Sequence, residues 1–434
     1  MAQQQDVPEK ENMMQQDAPA EEAAQTADEN EKISDTESIR LTGEKTPVQR
    51  DKTTMHDEVQ DFKFLKPKSV RRETSHSHSS SGSGHHHHHH HRRHRKKKMK
   101  TWKKVLLIVV SVILALVIAV TGTVIYLVFK GQSELFDVDL RIEVPQSVPA
   151  EVQDNGDYIV YDGATYRYNR DVTSLLFMGV DKRNIDGVNE VGTGGQSDVN
   201  VLIAINVKSH KLSMVAIPRD TLAEVARYTP SGTYNGMGTM QICLGYAYGN
   251  GKETSCDNMV SSVSKLFYNL PIKTYYALDL DGIAAMNDAV GGVDVVSPED
   301  VSDVFVKGES YHLEGKDAEH FVRLRDKSKV SSSLDRLERQ KIYAKSYLST
   351  LQSKLKKDPT SAITLFNESS PYSCTNLTAA KVAYLAKEVM FGGGLKPEIL
   401  TVPGTMTYDG ELASYHVNEE KFFKQFLEVY YEKM

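Results

Sequence analysis

Five short stretches of this 434-residue chain carry aspartates and arginines of the types that handle phosphate. Gly179-Val180-Asp181-Lys182-Arg183 follows an apolar run ending at Met178, and Gln196-Ser197-Asp198 precedes a run starting at Val199. Ile217-Pro218-Arg219-Asp220 closes a third run. Val322-Arg323-Leu324-Arg325 sets two arginines on alternate positions, and the segment Asp335 to Gln340 puts Arg336 and Gln340 one helical turn apart on one face. Guanidinium groups donate paired hydrogen bonds to phosphate oxygens, while Mg²⁺ takes few carboxylates and leaves room for a substrate's own oxygens. Taken singly, each of these charges reads more readily as a solvated surface group or half of a helix ion pair. Spacing alone does not assemble them.

The elements around these residues decide whether they meet. Ser174 to Met178, Val199 to Ile205 and Leu212 to Ile217 are rich in Val, Ile and Leu and read as strands. Helical patterns follow at Asp257 to Tyr268, Leu280 to Val290, Gly315 to Val322 and Leu334 to Leu355, with strand-like Thr274 to Leu278 and Val293 to Val296 between them. Further helices are expected near Ala379 to Met390 and Glu419 to Glu432. This mixture predicts an α/β fold, a mixed central sheet covered by helices on both faces, over residues 172–357. Strand ends are where such a sheet presents reactive groups, because the loops leaving the strands converge there. Residues 130–171 read as a connector with a hairpin signal at Asp162-Gly163, and 358–434 as a C-terminal helical extension.

The first 104 residues differ in kind. Met1 to Arg71 is too polar to bury a core, which predicts a disordered tail. The net charge of −6 hides a basic block in which nine of the thirteen residues from Arg92 to Lys104 are Lys or Arg. Val105 to Phe129 then runs 25 residues without a charged side chain, long enough for a transmembrane helix. The run is too long and too far from the start for a cleaved signal. Basic residues on its amino-terminal side place 1–104 in the cytoplasm and 130–434 outside, making a single-pass protein of the cell membrane. The block could grip nucleic acid, but its position favours anionic membrane lipid, so no nucleic-acid partner is expected. His85 to His91 reads as a native low-complexity linker. Cys243 and Cys256 flank a Gly249-Asn250-Gly251 turn at a spacing compatible with a loop disulfide, and Cys374 is expected to be free.

The motifs above, with Gly291-Gly292-Val293-Asp294-Val295 and Leu313-Glu314-Gly315-Lys316-Asp317-Ala318, resemble the LytR-CpsA-Psr family in content and order, over roughly Thr173 to Tyr347. That resemblance implies a phosphotransferase of the bacterial cell envelope. It would move an anionic glycopolymer, such as a teichoic acid or capsular polysaccharide, from a polyprenyl pyrophosphate carrier to peptidoglycan. By position, Asp181 and Asp198 would hold Mg²⁺, and with Arg219 they are the expected catalytic residues. Arg183, Arg219, Arg323, Arg325, Arg336 and Gln340 would grip the pyrophosphate. The chain departs from the family pattern at Gln196, where arginine is usual, and at Ser333, where aspartate is usual. Two alternatives stand beside the transferase: a non-catalytic regulator that binds the lipid pyrophosphate, suggested by Gln196, and a pyrophosphatase in which water replaces the sugar hydroxyl.

Overall fold

A computed structural model of the chain describes residues 100–325, 332–391, 396–408, 410 and 412–434. The acidic tail, the histidine run and the basic block up to residue 99 lie outside the described residues. The chain divides into a smaller unit, Glu37–Ala115, and a larger one whose described part lies within Leu116–Met434. In the smaller unit, residues 100–115 are described and all but the first are helical.

That helix spans Thr101–Phe136, longer at both ends than the apolar run predicts, and is long and apolar enough to cross a membrane. Its last two turns persist because they are packed within the larger unit. A Cβ at Gly131 would lie 2.1 Å from the carbonyl oxygen of Ala380, so only glycine permits this approach. Leu135 is buried, its carbonyl accepts a 3.0 Å hydrogen bond from Thr173 Oγ1, and Glu134 accepts one from Thr378.

The core is a six-stranded sheet. Val172–Val180 lies inside it, antiparallel to Ser197–Asn206 and parallel to Tyr275–Leu278. Ser197–Asn206 pairs antiparallel with Lys211–Ile217, which pairs in parallel with the edge strand Lys396–Thr401; Ser373–Thr375 forms the other edge. Alternation along each strand sorts side chains between two faces. Leu176, Met178, Leu202 and Ala204 point into a core shared with helices Glu253–Leu266 and Glu419–Tyr430. Leu175, Phe177, Val201 and Ile203 point the other way, into a cavity beneath helices Leu280–Val290, Ser332–Lys357, Ser361–Ser369 and Ala379–Phe391. The mixed sheet with helices on both faces is therefore the observed architecture.

Residues 358–434, read from sequence as helical, supply both edge strands of this sheet as well as helices. Tyr431–Lys433 also pairs with Ala164–Tyr168 of the 130–171 connector, completing a four-stranded sheet. The hairpin in that connector forms as expected, with Asp162 and Gly163 both at positive φ. Val293–Val296 is a strand, but it pairs with Ser310–Leu313 in a separate ladder. A hairpin of Leu222–Tyr228 and Tyr234–Gln241 carries no counterpart in the sequence reading. The Cys243–Cys256 disulfide does not form: all three cysteines are free, because the fold turns the Cys243 thiol toward Arg219 and Gln196.

Candidate functional site

The strand ends bring the predicted residues together. Val172–Val180 stops at a register shift between Gly179 and Val180, and Asp181 follows at once. Asp181 Oδ1 accepts a 2.6 Å hydrogen bond from the backbone N–H of Gln196, and Asp181 returns one through its own N–H to the Gln196 carbonyl. Gly195 makes this approach possible: it has φ +89°, and a Cβ there would fall 2.8 Å from Asp181 Oδ1. Asp198, the second residue of the neighbouring strand, is clasped by two arginines. Arg219 Nη1 binds its Oδ1, and Arg336 Nη1 stands 3.2 Å from its Oδ2.

Arg219 leaves the Lys211–Ile217 strand through Pro218, whose carbonyl is capped by both the N–H and the hydroxyl of Thr221. Its second terminal nitrogen donates to Gln196 Oε1 at 2.5 Å and to the Cys243 sulfur at 3.6 Å. Gln196, where the family pattern has arginine, therefore acts here as an acceptor that aims Arg219. This role was invisible from residue type. Burial pushes the Cys243 thiol up to about 12, so it stays protonated.

Arg183 and Arg323 meet on a residue that sequence reasoning passed over. Glu319, 3% exposed, accepts from Arg183 at 2.9 and 3.2 Å and from Arg323 at 2.8 Å. Arg183 also binds Asp281, at 2.7 Å. The only sequence clue was a carboxylate one helical turn before Arg323 on an otherwise apolar face. Arg339 was also missed. Its guanidinium, 1% exposed, binds Glu299 and the carbonyls of Phe321 and Leu324, and Gln340 Nε2 donates to the carbonyl of Val322 at 3.0 Å. These side chains close the carboxyl end of helix Lys316–Arg323 and so fix Arg323 and Arg325. Gln340, expected to grip phosphate, thus commits its amide nitrogen to the backbone while still lining the cavity.

The electrostatics of the two aspartates diverge. Burial, then the charge of Asp198, raises Asp181 to about 6. Burial also opposes ionisation of Asp198, but Arg219, Arg336, Arg325 and Arg323 together hold it below the usual carboxylate range. Two neighbouring carboxylates, one raised by the other's charge, fit a divalent cation that would relieve their repulsion. No group of three or more His, Cys, Asp or Glu that could hold a metal ion gathers among the described residues.

Asp181, Asp198, Arg323 and Arg336 line a cavity of about 470 Å³ whose remaining wall is mostly aliphatic and aromatic. From Arg336 to Leu355, both on its wall, helix Ser332–Lys357 rises roughly 28 Å at about 1.5 Å per residue. The site thus joins a cluster of arginines and carboxylates to a long apolar chamber.

A model of the LytR_cpsA_psr family matches residues 126–429, from the long apolar helix to the last helix. The chain belongs to the LytR-CpsA-Psr family. Among curated relatives, the polyisoprenyl-teichoic acid–peptidoglycan teichoic acid transferase TagU of Bacillus cereus is 36% identical over 155 residues, covering 35% of this chain and 44% of that protein. TagV of Bacillus subtilis, which carries the same description, is 33% identical over 178 residues, covering 39% and 41%. The chain spans less than half the length of these two relatives. The crystal structure of Bacillus subtilis TagV aligns over 60% of this chain and 97% of its own, with 24% identity and a TM-score of 0.46.

Proposed function

We propose that this LytR-CpsA-Psr protein transfers an anionic glycopolymer from a polyprenyl pyrophosphate carrier to peptidoglycan at the outer face of the cell membrane. The observation that carries the proposal is the continuity of the arginine cluster with the apolar cavity. A polyprenyl diphosphate has the same two parts: a hydrocarbon chain needing a dry channel and a charged headgroup needing guanidinium donors. The basic block before the membrane helix supports a cytoplasmic amino terminus.

Within this reading, Arg219 and Arg336 hold the phosphate that leaves with the lipid and stabilise the charge developing on it, and Arg183, Arg323 and Arg325 hold the glycan-bearing phosphoryl group. The acceptor sugar hydroxyl attacks the glycan-bearing phosphorus and gives its proton to a site carboxylate. A phosphodiester to peptidoglycan forms, the bridging P–O bond breaks, and polyprenyl phosphate leaves. Mg²⁺, held by Asp181 and Asp198, would supply charge neutralisation at the pyrophosphate. The protein's larger contribution is positioning, since phosphoryl transfer depends on alignment and charge stabilisation.

The test incubates the purified full chain in detergent with a polyprenyl-diphosphate-linked glycan and peptidoglycan fragments. Linkage that needs Mg²⁺ and is lost in Arg219→Ala is the expected result. Release of free phosphorylated glycan without linkage would instead establish a pyrophosphatase, and tight lipid binding without turnover a regulator.

A further inference from the structure

Glu319 is costly where it stands. It lies in helix Lys316–Arg323 beside the core residues Ala318, Phe321 and Val322 and is almost wholly shielded from water. A carboxylate buried there costs free energy that a leucine would not, unless charged partners compensate it. Both its oxygens are used: Oε1 accepts from Arg183 Nη2 and Arg323 Nη1, and Oε2 from Arg183 Nη1. Arg183 and Arg323 come from distant parts of the chain, and without a carboxylate between them their charges would drive them apart.

Asp198 does the same for Arg219 and Arg336. The site is thus built as two arginine pairs, each pinned by one carboxylate. The pairs are neighbours, since the charge of Arg323 is felt at Asp198. Asp281 shares Arg183, but at an exposed position where water screens it. A diphosphate headgroup presents two phosphoryl groups, one for each pair. A monophosphate can occupy only one.

We infer that Glu319 sets the preference of this site for a diphosphate over a monophosphate headgroup, by presenting Arg183 and Arg323 as a second phosphate-binding pair. Glu319 is a positioning residue, acting through the two arginines. The inference rests on the lipid-pyrophosphate reading above and assigns it a determinant of selectivity: substrate enters with two phosphates, and the polyprenyl monophosphate left after transfer loses half of its grip and departs.

The experiment measures equilibrium binding of polyprenyl diphosphate and of polyprenyl monophosphate of equal chain length to the full chain in detergent. The native protein is expected to prefer the diphosphate by about tenfold or more, equivalent to about 1.4 kcal/mol, because the second arginine pair adds charge-assisted hydrogen bonds to the second phosphate. Glu319→Ala should abolish most of that preference while leaving monophosphate affinity nearly unchanged. Arg183→Ala, at a half-exposed side chain, should do the same and carries the test if Glu319→Ala does not fold. In the Arg183→Ala, Arg323→Ala background, adding Glu319→Ala should change nothing further. Retained preference in the folded Glu319→Ala or Arg183→Ala protein, or an equal loss for both lipids, overturns the inference alone. Failure of the native protein to bind either lipid overturns the reading of the site and this inference with it.

Discussion

Asp198 is clasped by Arg219 at one carboxylate oxygen and by Arg336, 3.2 Å away, at the other, so that a strand-end loop and a helix distant in sequence are tied through one side chain. Arg336 is only 4% exposed. Removing the carboxylate leaves two guanidinium groups poorly compensated, and breaking such a buried pair costs about 3 kcal/mol. Asp198→Ala should therefore lower stability by that order and abolish transfer, checked by chemical denaturation and by the linkage assay. Unchanged stability would show that the clasp is not a structural element.

Asp181 makes a pH-dependent prediction. Its folded-state pKa is raised to about 6 from an ordinary value of 3.8, so the fold favours the protonated form. Its contribution to stability is fully present below pH 3.8 and is lost as pH rises through about 6. Asp181→Asn, which cannot ionise, should match the native Tm near pH 4 and exceed it at pH 7–8. Paired melting curves across that range in metal-free buffer read the difference. A constant offset at every pH would refute the assignment.

Gln196 should matter through Arg219. Its Oε1 takes the Arg219 Nη2 hydrogen at 2.5 Å. Gln196→Ala removes that acceptor and should reduce kcat/KM by about tenfold, equivalent to one charge-assisted hydrogen bond, and lower stability by about 1 kcal/mol because the buried Arg219 loses an acceptor. Steady-state kinetics on the glycan donor give the answer, and full activity would discount the orienting role.

The apolar chamber should select for chain length. Ala344 sits on its wall, on the helix that also carries Arg336. Ala344→Trp would fill part of the 470 Å³. Affinity for a long polyprenyl diphosphate should fall by about tenfold or more, while that for a short-chain analogue stays close to native. Equal loss for both would indicate damage to the headgroup site.

Arg339 holds the helix end that bears Arg323 and Arg325. Its buried guanidinium serves Glu299 and two carbonyls. Arg339→Met keeps the volume but leaves Glu299 and those carbonyls without their donor, and should cost about 2–4 kcal/mol in denaturation, together with weaker headgroup binding. Stability equal to that of the native protein would sink this view of the helix end.

The sequence by itself determined whatever depends on local pattern. The charge-free run at 105–129 dictates a membrane-length helix, and the β-branched runs mark strands at Ser174 to Met178, Val199 to Ile205 and Leu212 to Ile217, with Asp181, Asp198 and Arg219 close to their ends. Tertiary structure decided the pairings. Arg183 and Glu319 are 136 residues apart, and Arg219 and Gln196, 23 apart, flank the ends of two neighbouring strands. No local rule couples such residues, because the energy of an ion pair depends on distance and burial, which only the folded topology sets. The edge strands Ser373–Thr375 and Lys396–Thr401 were lost for a related reason: short segments take strand form from the neighbour they pair with more than from their own propensity. The chamber beneath the sheet was equally silent, since Phe177, Val201 and Ile203 read in sequence as ordinary core. What turns them into the wall of a cavity is the spacing of the helices above them.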